Sequence, residues 1–468
     1  MFGGIHPEYL TNVLNGEVME PYRLHLFVCA QQKPEGVPCC PKSGAFAVLE
    51  AIDREVQASG LDNDVQLTTS GCMGLCDEGP IIVVYPEGVW YRKVQPSDAR
   101  EIVTAHLKDG KPVARLVWSD AIAMKTMSID HRDKYRAMMA MREKSGMIPD
   151  RLDTMLRSYM ASRALLTALE IDLFTAIGDG ATATVAAARC KISVRGADAL
   201  MNALVSLDLL TKSSDTFHDS PESTRYFTEG SPNNHRNGLL HTANIWHRWS
   251  TLTDAVRCGT AVEIVRESRR DWTNNFIAGM DRNARLRAPL IVKALGASNV
   301  RHVLDLGGGS GAYSIALAKA NPELKAEILD FPAVAPLTED YIRNAGVETQ
   351  VTVRSGDMLK EKYGTGFDLV MLNAICHMFS PAQNEELFRR AFAALAPGGR
   401  LMIQDFLLTP DKTGPQFATL FSLNMLVATE AGASYNEAEY KRWLNAAGFA
   451  VIERINLPGP SDLIVATR

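Results

Sequence analysis

The residues VLDLGGGSGAYS (303–314) give the clearest indication of how the C-terminal part of the chain folds. An apolar strand pattern runs into a glycine-rich loop, and a helical pattern, YSIALAKA, follows it. Glycines in such a loop let the backbone approach a ligand that a Cβ atom would exclude. The stretch therefore predicts a strand, a ligand-binding loop and a helix that begins beside the ligand.

Strand and helix patterns alternate further along the chain, which is typical of a parallel sheet with helices on both faces. The predicted strands are VRHVLDL, AEILD, VTVRSG, FDLVMLNAI and GRLMIQDFLL. After a helix over 437–447, the chain ends in FAVIERINL and SDLIVATR, joined by a Pro-Gly-Pro turn at 458–460. Two final strands joined in this way are not the usual end of a dinucleotide-binding domain.

Three features indicate which cofactor the glycine-rich loop binds. The loop is denser in glycine than the G-x-G-x-x-G fingerprint for pyrophosphate, which suits a cofactor without phosphates. Asp330 ends the next strand, where an acid accepts hydrogen bonds from ribose hydroxyls, and Asp357 follows the third strand at the height of an adenine amino group. Together with the final pair of strands, these features are typical of methyltransferases that use S-adenosylmethionine.

Residues 148–468 resemble the caffeate and acetylserotonin O-methyltransferases and their bacterial relatives, which are class I methyltransferases. The motifs that carry the resemblance are VLDLGGGSGAYS, LDFPAV, GDM, NAICHMFS and APGGRLMIQDF, preceded by a helical dimerisation domain. The resemblance implies that Gly307 and Gly309 contact the methionine moiety and that Asp330 contacts the ribose. It also implies that Asp357 and Met358 contact the adenine. Asp305 is a further cofactor-binding candidate, and bracing of the loop is its alternative role.

His377 lies just beyond the strand FDLVMLNAI, at the edge of the sheet where ligands bind in open α/β folds. A neutral imidazole can take a proton from a phenol during methyl transfer, because its pKa lies near the working pH. In the resembled methyltransferases a histidine in an I-C-H segment is this base, and Asp405 matches an acid that flanks it. We therefore expect His377 and Asp405 to be catalytic.

The segments around this base depart from the resembled family in two places. Ser434 or Tyr435 stands about where a second flanking Glu is expected, and Met378 follows the base in place of an Asp. These departures concern which acceptor the protein uses and how the proton of the acceptor is removed. They do not concern the binding of the cofactor. Phe276 and Met280 match positions that line the cofactor and the acceptor in the family, with a plain core role as the alternative.

The helical stretch before the methyltransferase motifs includes two short helices, a turn and a wing, within 181–213. Its basic residues between 181 and 210 are few, namely Arg189, Lys191 and Arg195, and the whole chain has a net charge of −5, from 49 Lys and Arg against 54 Asp and Glu. Because DNA-binding proteins need a basic face, we expect no nucleic-acid partner. The resemblance implies a homodimer.

Five of the eight cysteines lie in the first 76 residues, namely Cys29, Cys39, Cys40, Cys72 and Cys76. In a large chain without an export signal, such a cluster indicates a metal site rather than a disulfide framework. Four thiolates are the ligands that a 2Fe-2S cluster needs. A four-cysteine zinc site and a metal-free thioredoxin-like fold are the alternatives.

Residues 22–118 resemble the thioredoxin-like 2Fe-2S ferredoxins. The motifs are FVC (27–29), PCCPKSGA (38–45) and GCMGLCDEGPIIVVYPEGVWYRKV (71–94). The resemblance implies a redox partner and four cluster ligands, namely Cys29, Cys40, Cys72 and Cys76. Cys39 departs from the pattern and is either a substitute ligand or a free thiol.

The sequence thus predicts an α/β protein with several domains. They are an N-terminal arm (1–21), a thioredoxin-like ferredoxin domain (22–118), a connecting helix or linker (119–147), a helical dimerisation domain with a winged helix (148–290) and a Rossmann-like methyltransferase domain (291–468). No run of 18 apolar residues and no signal-peptide pattern occurs, so we expect a cytoplasmic protein without membrane contact.

We expect this protein to methylate a phenolic or quinol-like small molecule, with the cluster linking activity to redox state or electron transfer. One alternative is a redox sensor that binds S-adenosylmethionine without methylating. The other is an electron carrier in which the methyltransferase fold is an assembly module. The acceptor atom is left open between oxygen, carbon, nitrogen and sulfur.

Overall fold

The computed structural model describes residues 21–33, 37–146, 148–263, 269–296 and 300–468. The chain forms two compact units, residues 1–158 and residues 159–468. The predicted N-terminal arm, apart from residue 21, lies outside the described residues. Among the helices that are described, none is long and apolar enough to cross a membrane.

The first unit is built on a four-stranded sheet in the order β2-β1-β3-β4. Strand β1 pairs in parallel with β2 and antiparallel with β3. The bounds are β1 (Leu24–Cys29), β2 (Val65–Ser70), β3 (Ile82–Tyr85) and β4 (Val89–Tyr91). Strand β2 is absent from the sequence analysis, because its residues VQLTTS carry no continuous apolar run and only Val65 is buried.

Helices cover this sheet and carry the first unit to its end. Helix α1 (Ala45–Ala58) buries Val48, Ile52 and Val56, which follow at a spacing of four and form one apolar stripe against the sheet. A short helix, α2 (Ala99–Glu101), continues as a π-helical segment over Ile102–Lys108. Helix α4 (Asp150–Arg157) closes the unit.

Helix α3 (Ala121–Lys144) lies between α2 and α4 along the chain, and it is longer than the helix predicted over 128–144. Its first turn is capped by Asp120, whose carboxylate accepts a hydrogen bond from Ala123 N at 2.9 Å. Met124 and Met127 then pack on the apolar core of the first unit. The N-terminal part of α3 is therefore attached to that core.

The second unit begins with helices that include the predicted winged helix. Helices α7 and α8 are followed by an antiparallel hairpin of β5 and β6, and Ala181 pairs with Phe217 of the hairpin. The bounds are α5 (Tyr159–Glu170), α6 (Leu173–Ile177), α7 (Ala183–Cys190), α8 (Val194–Ser206), β5 (Leu210–Ser213), β6 (Thr216–Asp219), α9 (Pro221–Phe227), α10 (Arg236–Trp249) and α11 (Leu252–Cys258).

The rest of the second unit is the predicted sheet, with seven strands in the order β12-β13-β11-β10-β7-β8-β9. Strands β7 to β11 are parallel, and β13 runs antiparallel between β11 and β12. The strands are β7 (His302–Leu306), β8 (Lys325–Asp330), β9 (Val351–Ser355), β10 (Phe367–Asn373), β11 (Leu395–Asp405), β12 (Val451–Ile455) and β13 (Asp462–Thr467).

Helices flank this sheet on both faces, and two separate apolar cores form between the layers. The helices are α12 (Arg269–Leu295), α13 (Ala312–Ala320), α14 (Ala335–Ala345), α15 (Pro381–Ala394), α16 (Gln416–Ala428) and α17 (Glu437–Ala447). Helix α12 runs through the domain boundary predicted at 290–291. The helical and sheet parts of the second unit therefore share one continuous element.

Candidate active site and cysteine cluster

The carboxyl ends of the parallel strands carry the residues predicted to bind the cofactor and to act on the acceptor. Strand β7 runs into the glycine-rich loop, β8 ends at Asp330, and β11 ends at Asp405. His377 lies in a helical turn (Cys376–Met378) shortly after β10. Because parallel strands end at one edge of a sheet, these residues meet there.

The glycine-rich loop packs so closely that its first glycine cannot be replaced without a clash. Gly307 has a φ of +71°, a conformation that favours glycine. A Cβ atom at this position would lie 2.5 Å from Ile375 Cδ1 and 2.8 Å from Met358 Cε. The loop and Met358 thus form one surface, as the predicted cofactor contacts require.

Asp305 braces this loop from below. It is fully buried, and Ser314 Oγ at the start of α13 donates to its Oδ2 at 2.7 Å. Burial raises the pKa of Asp305 to about 6. The hydrogen bond between Ser314 and Asp305 joins the end of β7 to α13, the two elements that flank the loop.

Asp330 holds the other side of the loop. Its Oδ2 accepts from Gly309 N at 2.8 Å, and its Oδ1 accepts from Phe331 N at 2.7 Å. Burial raises the pKa of Asp330 above the ordinary aspartate value. Each carboxylate oxygen keeps a further lone pair, so the group can still accept hydrogen bonds from a vicinal diol.

Asp357 and Met358 lie beyond the end of β9. Asp357 Oδ1 accepts from Leu359 N at 2.9 Å, and Oδ2 pairs with Lys360 at 3.1 Å. The Asp357 side chain is about one quarter exposed, whereas Met358 is buried against the loop. The pair therefore offers one polar and one apolar contact beside the glycines.

Two residues of this edge were missed by the sequence analysis. Ile277 of α12 lies over the loop, since its Cδ1 would be 3.8 Å from a Cβ atom on Gly309. Asn373 ends β10, and its buried amide makes no hydrogen bond of normal length among the described residues, although it lies close enough to Asp305 to lower that group's pKa. The amide is therefore a candidate contact for a bound ligand.

His377 and Asp405 form a buried pair at the same edge. His377 Nδ1 lies 2.7 Å from Asp405 Oδ1, and His377 N donates to Asp405 Oδ2 at 3.1 Å. His377 is 6% exposed and Asp405 2%. Although burial alone would raise the pKa of Asp405, the imidazole of His377 holds it below the ordinary value. The carboxylate is thus ionised and fixes the orientation of the ring.

A tyrosine, and not the expected second acid, completes the environment of Asp405. Tyr440 on α17 is fully buried and its hydroxyl donates to Asp405 Oδ2 at 2.8 Å. Of the two residues at the place expected for the acid, Tyr435 donates to Phe379 O at 2.6 Å, and the buried Ser434 hydroxyl has no partner in the described part of the chain. The sequence analysis missed Tyr440.

Two aromatic rings contact the imidazole of His377. Phe421 stands edge-on to it at 4.7 Å between ring centroids, and Phe406 stacks at 5.9 Å. Phe417 stacks on Phe421 at 6.0 Å and is half-exposed. This apolar surface suits a flat aromatic ligand.

The two predicted acceptor-pocket residues lie on α12. Phe276 stacks on Trp272 at 5.2 Å and meets the ring of His241 at 5.1 Å, edge to face. Met280, one turn further along, is half-buried. A separate cavity of about 330 Å³ is lined by Phe417, Pro410 and Arg454 among others, and its lining includes neither the glycine-rich loop nor His377.

The four predicted cluster ligands come together in the first unit. Cys29 ends β1, Cys40 opens a 3-10 turn, and Cys72 and Cys76 flank the loop after β2. Their thiols form a closed ring of hydrogen-bonding neighbours, in which Cys29 and Cys76 each interact with both Cys40 and Cys72. Cys39 is buried and does not belong to this ring.

The spacing and surroundings of these sulfurs fit a metal. Cys72 Sγ and Cys76 Sγ lie 3.6 Å apart, and two sulfur ligands on one tetrahedral metal lie about 3.8 Å apart. Gly74 N donates to Cys72 Sγ at 3.3 Å. A Cβ atom on Gly79 would lie 2.7 Å from Cys40 Sγ, so the backbone lies directly against the sulfurs.

The pKa values of the thiols also fit a bound metal. Hydrogen bonds from the Cys29 and Cys76 thiols hold the pKa of Cys72 well below its ordinary value, whereas contacts with Cys29 and Cys76 raise that of Cys40. The four thiols cannot all be ionised at once unless a cation compensates their negative charges. His131 of α3 also lies here, because its ring nitrogen is within 4.8 Å of both Cys72 Sγ and Cys76 Sγ. The sequence analysis missed His131.

Comparison with known proteins covers the second unit and the end of the first. The O-methyltransferase domain model matches residues 249–450, and the O-methyltransferase dimerisation domain matches residues 154–229, as expected for a homodimer. The 3-hydroxy-5-methyl-1-naphthoate 3-O-methyltransferase of Streptomyces sahachiroi is 30% identical over 67% of this chain and 92% of its own length.

Two further relatives match the same region. The L-tyrosine C(3)-methyltransferase of Streptomyces lavendulae is 39% identical over 38% of this chain and 50% of its own length. The solved structure of PigF with SAH is similar with a TM-score of 0.63 and 25% identity, over 69% of this chain and 100% of PigF. The chain therefore belongs to the O-methyltransferase family, and the protein is an S-adenosylmethionine-dependent enzyme that methylates small molecules.

Proposed function

We propose that this enzyme methylates a phenolic or quinol-like hydroxyl of a small aromatic molecule, and that a 2Fe-2S cluster on the same chain links this activity to redox state. The observation that carries the first part is the buried His377–Asp405 pair at the sheet edge, with aromatic rings beside it. The ring of four thiols carries the second part.

The glycine-rich loop and the acids around it would hold S-adenosylmethionine, which supplies the methyl group when bound. Gly307 and Gly309 would offer backbone to the methionine moiety, and Asp330 would accept hydrogen bonds from the ribose hydroxyls. Asp357 and Met358 would contact the adenine. Two supporting observations are the open space beside Gly309, where a Cβ atom would meet nothing nearer than Ile277 Cδ1 at 3.8 Å, and the buried amide of Asn373, which makes no hydrogen bond of normal length among the described residues.

His377 would be the base that takes the proton from the acceptor hydroxyl. Its Nδ1 is held by Asp405, which leaves Nε2 to face the acceptor. As Nε2 takes the proton, the ionised Asp405 stabilises the imidazolium that forms. Tyr440 would be a positioning residue, because it is fully buried and its hydroxyl holds Asp405 in place.

An aromatic acceptor is supported by the side chains beside the base and by one relative. Phe406, Phe417 and Phe421 form a continuous aromatic surface next to His377. The relative from Streptomyces sahachiroi acts, by its name, on a hydroxynaphthoate. The relative from Streptomyces lavendulae methylates carbon of tyrosine, so product analysis must distinguish the two acceptor atoms.

The 2Fe-2S cluster would bind to Cys29, Cys40, Cys72 and Cys76. Support comes from the sulfur spacing and from the sheet, in which a central β1 pairs in parallel with β2 and antiparallel with β3, as in thioredoxin-like ferredoxins. Methyl transfer between bound reactants consumes no electrons. A cluster on this chain is therefore expected to control the reaction or its acceptor, and not to take part in the transfer itself.

Replacing His377 tests the acceptor chemistry. We expect His377→Gln to lower kcat at least 100-fold with S-adenosylmethionine affinity unchanged, because the base is lost and the cofactor contacts remain. Tyr440→Phe should lower kcat less and shift the pH profile, because it frees Asp405 to move. The assay is transfer of labelled methyl to a panel of phenols and quinols, with product analysis for O- and C-methylation.

The matched control is His302→Gln, a histidine at the exposed start of β7. It should leave kcat unchanged. Full activity of His377→Gln on any acceptor of the panel would contradict the assigned base, and activity confined to carbon would contradict the hydroxyl acceptor.

The raised pKa of Asp330 makes cofactor binding depend on pH. Ribose hydroxyls need an ionised carboxylate as acceptor, so affinity should fall as pH falls through the pKa of Asp330, which lies above the ordinary value of 3.8. Asp330→Asn should weaken binding about 10- to 100-fold at neutral pH and remove this pH dependence. Calorimetric titration with S-adenosylmethionine measures both.

The control for this variant is Asp340→Asn, an exposed acid on α14 that pairs with Arg343. It should keep the affinity and the pH dependence of the unmodified protein. An Asp330→Asn protein that still binds less tightly at low pH would show that another group is responsible.

The neighbouring pair Cys39 and Cys40 offers a matched test of the cluster. Cys40→Ser should lose the cluster, because it removes one thiol from the ring, whereas Cys39→Ser should retain it. Iron and sulfide content and the visible absorption of anaerobically purified protein measure the outcome. Two irons retained in Cys40→Ser and lost in Cys39→Ser would reverse the ligand assignment, and zinc in place of iron would contradict the cluster.

A further inference from the structure

One face of helix α3 contacts the loop that carries Cys72 and Cys76. Ser128, His131 and Tyr135 are spaced by three and four residues, so they lie on one side of the helix. Ser128 Oγ donates to Met73 O at 3.3 Å, in the middle of the loop. The helix predicted as a linker is therefore in direct contact with the cysteine site.

The contact at Ser128 leaves no gap between helix and loop. Gly74 has a φ of +79°, and a Cβ atom there would lie 2.5 Å from Ser128 Oγ. Gly74 is also the residue whose N donates to Cys72 Sγ. Because Ser128 of α3 packs against Gly74, the position of the helix affects the hydrogen bond that Gly74 donates to Cys72.

Lys33, in the segment after β1, connects the sulfurs to this helix. Its Nζ donates to Cys76 Sγ at 3.2 Å and also to His131 Nε2. The ammonium lies 5.4 Å from the centre of the Tyr135 ring, within the range of a cation–π contact. Lys33 is half-buried, so these contacts replace part of its hydration.

The ammonium of Lys33 determines which atoms around it act as hydrogen-bond acceptors. A lysine ammonium has three donors and no acceptor, so His131 Nε2 must accept and its proton must lie on Nδ1. His131 and Tyr135 therefore hold the Lys33 ammonium from the side of the helix, and its other donors face the sulfurs of Cys76 and Cys72. Among the described residues, Lys33 is a positive charge in direct contact with the sulfurs.

We propose that Lys33, held by His131 and Tyr135 of helix α3, sets the reduction potential of the cluster. The proposal depends on the 2Fe-2S cluster of the proposed function. Reduction adds one negative charge to the cluster, and an ammonium donating to a ligand sulfur stabilises the reduced state. Removing this charge should lower the potential, and removing the residues that hold it should lower it by less.

The competing assignment is His131 as a metal ligand. Cys72, Cys76 and His131 present ligand atoms within 4.8 Å of one another, and histidine replaces cysteine in some 2Fe-2S centres. A ligand role requires that Lys33 leave His131 Nε2. It therefore predicts loss or spectroscopic change of the cluster when His131 is replaced, whereas a positioning role predicts an intact cluster.

The experiment is a redox titration of the full-length protein, followed by electron paramagnetic resonance, after anaerobic reconstitution with iron and sulfide. The variants are Lys33→Gln and His131→Gln. The matched control is Lys134→Gln, which removes the same charge from an exposed position of α3 that pairs with Asp130. Iron content and the resonance signal show whether each protein holds the cluster.

We expect all three variants to hold two irons with an unchanged signal. Lys33→Gln should shift the ratio of reduced to oxidised cluster at least tenfold toward oxidised, which is 59 mV lower for a one-electron couple. His131→Gln should shift it in the same direction by less, and Lys134→Gln should not shift it. An unchanged potential in Lys33→Gln would overturn the proposal, even if His131→Gln failed to fold.

Two other outcomes distinguish failure of the role proposed for Lys33 from failure of the 2Fe-2S cluster on which it depends. A wild-type protein that takes up no iron would overturn the cluster itself and with it the role of Lys33. A His131→Gln protein with a lost or altered resonance signal, together with an unchanged potential in Lys33→Gln, would assign His131 as a ligand and overturn only the present proposal.

Discussion

Parallel strands end at the same edge of a sheet, and this constraint organises the second unit. Because β7, β8, β10 and β11 run in one direction, the glycine-rich loop, Asp330, His377 and Asp405 meet without long connecting segments. The antiparallel β13 beside β11 ends this arrangement, so no further strand end adds a ligand-binding loop on that side. The geometry of the candidate site follows from this one arrangement.

The charge of Asp405 then determines what surrounds it. A buried carboxylate is stable only when donors surround it, and here His377, Tyr440 and the backbone of His377 and Phe406 supply them. Tyr440 comes from α17, a few residues beyond Ser434 and Tyr435, where an acid was expected. A neutral hydroxyl in this role leaves one negative charge beside His377, and so the imidazolium of the proposed mechanism would have Asp405 as its charged partner.

The sequence predicted the features whose signals are local. The glycine-rich loop, the strand ends and the cysteine motifs are continuous stretches, and the four cysteines predicted as ligands are those that meet in space. His131 was missed because it reaches its site from a helix distant in sequence, and nothing in the residues nearby marks that contact. Ile277 and Tyr440 lie close to the predicted positions Phe276 and Tyr435, but the sequence pattern does not show which side chain of each helix faces the site. Strand β2 was missed because it is held mainly by backbone pairing with β1 and buries little apolar surface.

Whether the two units work together is tested most directly by measuring methyl transfer in both redox states of one sample. Labelled S-adenosylmethionine and an accepted phenol or quinol are supplied anaerobically, and the initial rate is measured with the cluster reduced and again after reoxidation. We expect the rate to change severalfold and reversibly, and to be unaffected by reductant in a Cys40→Ser protein without the cluster. Equal rates in the two states, with the cluster intact in both, would contradict the redox link.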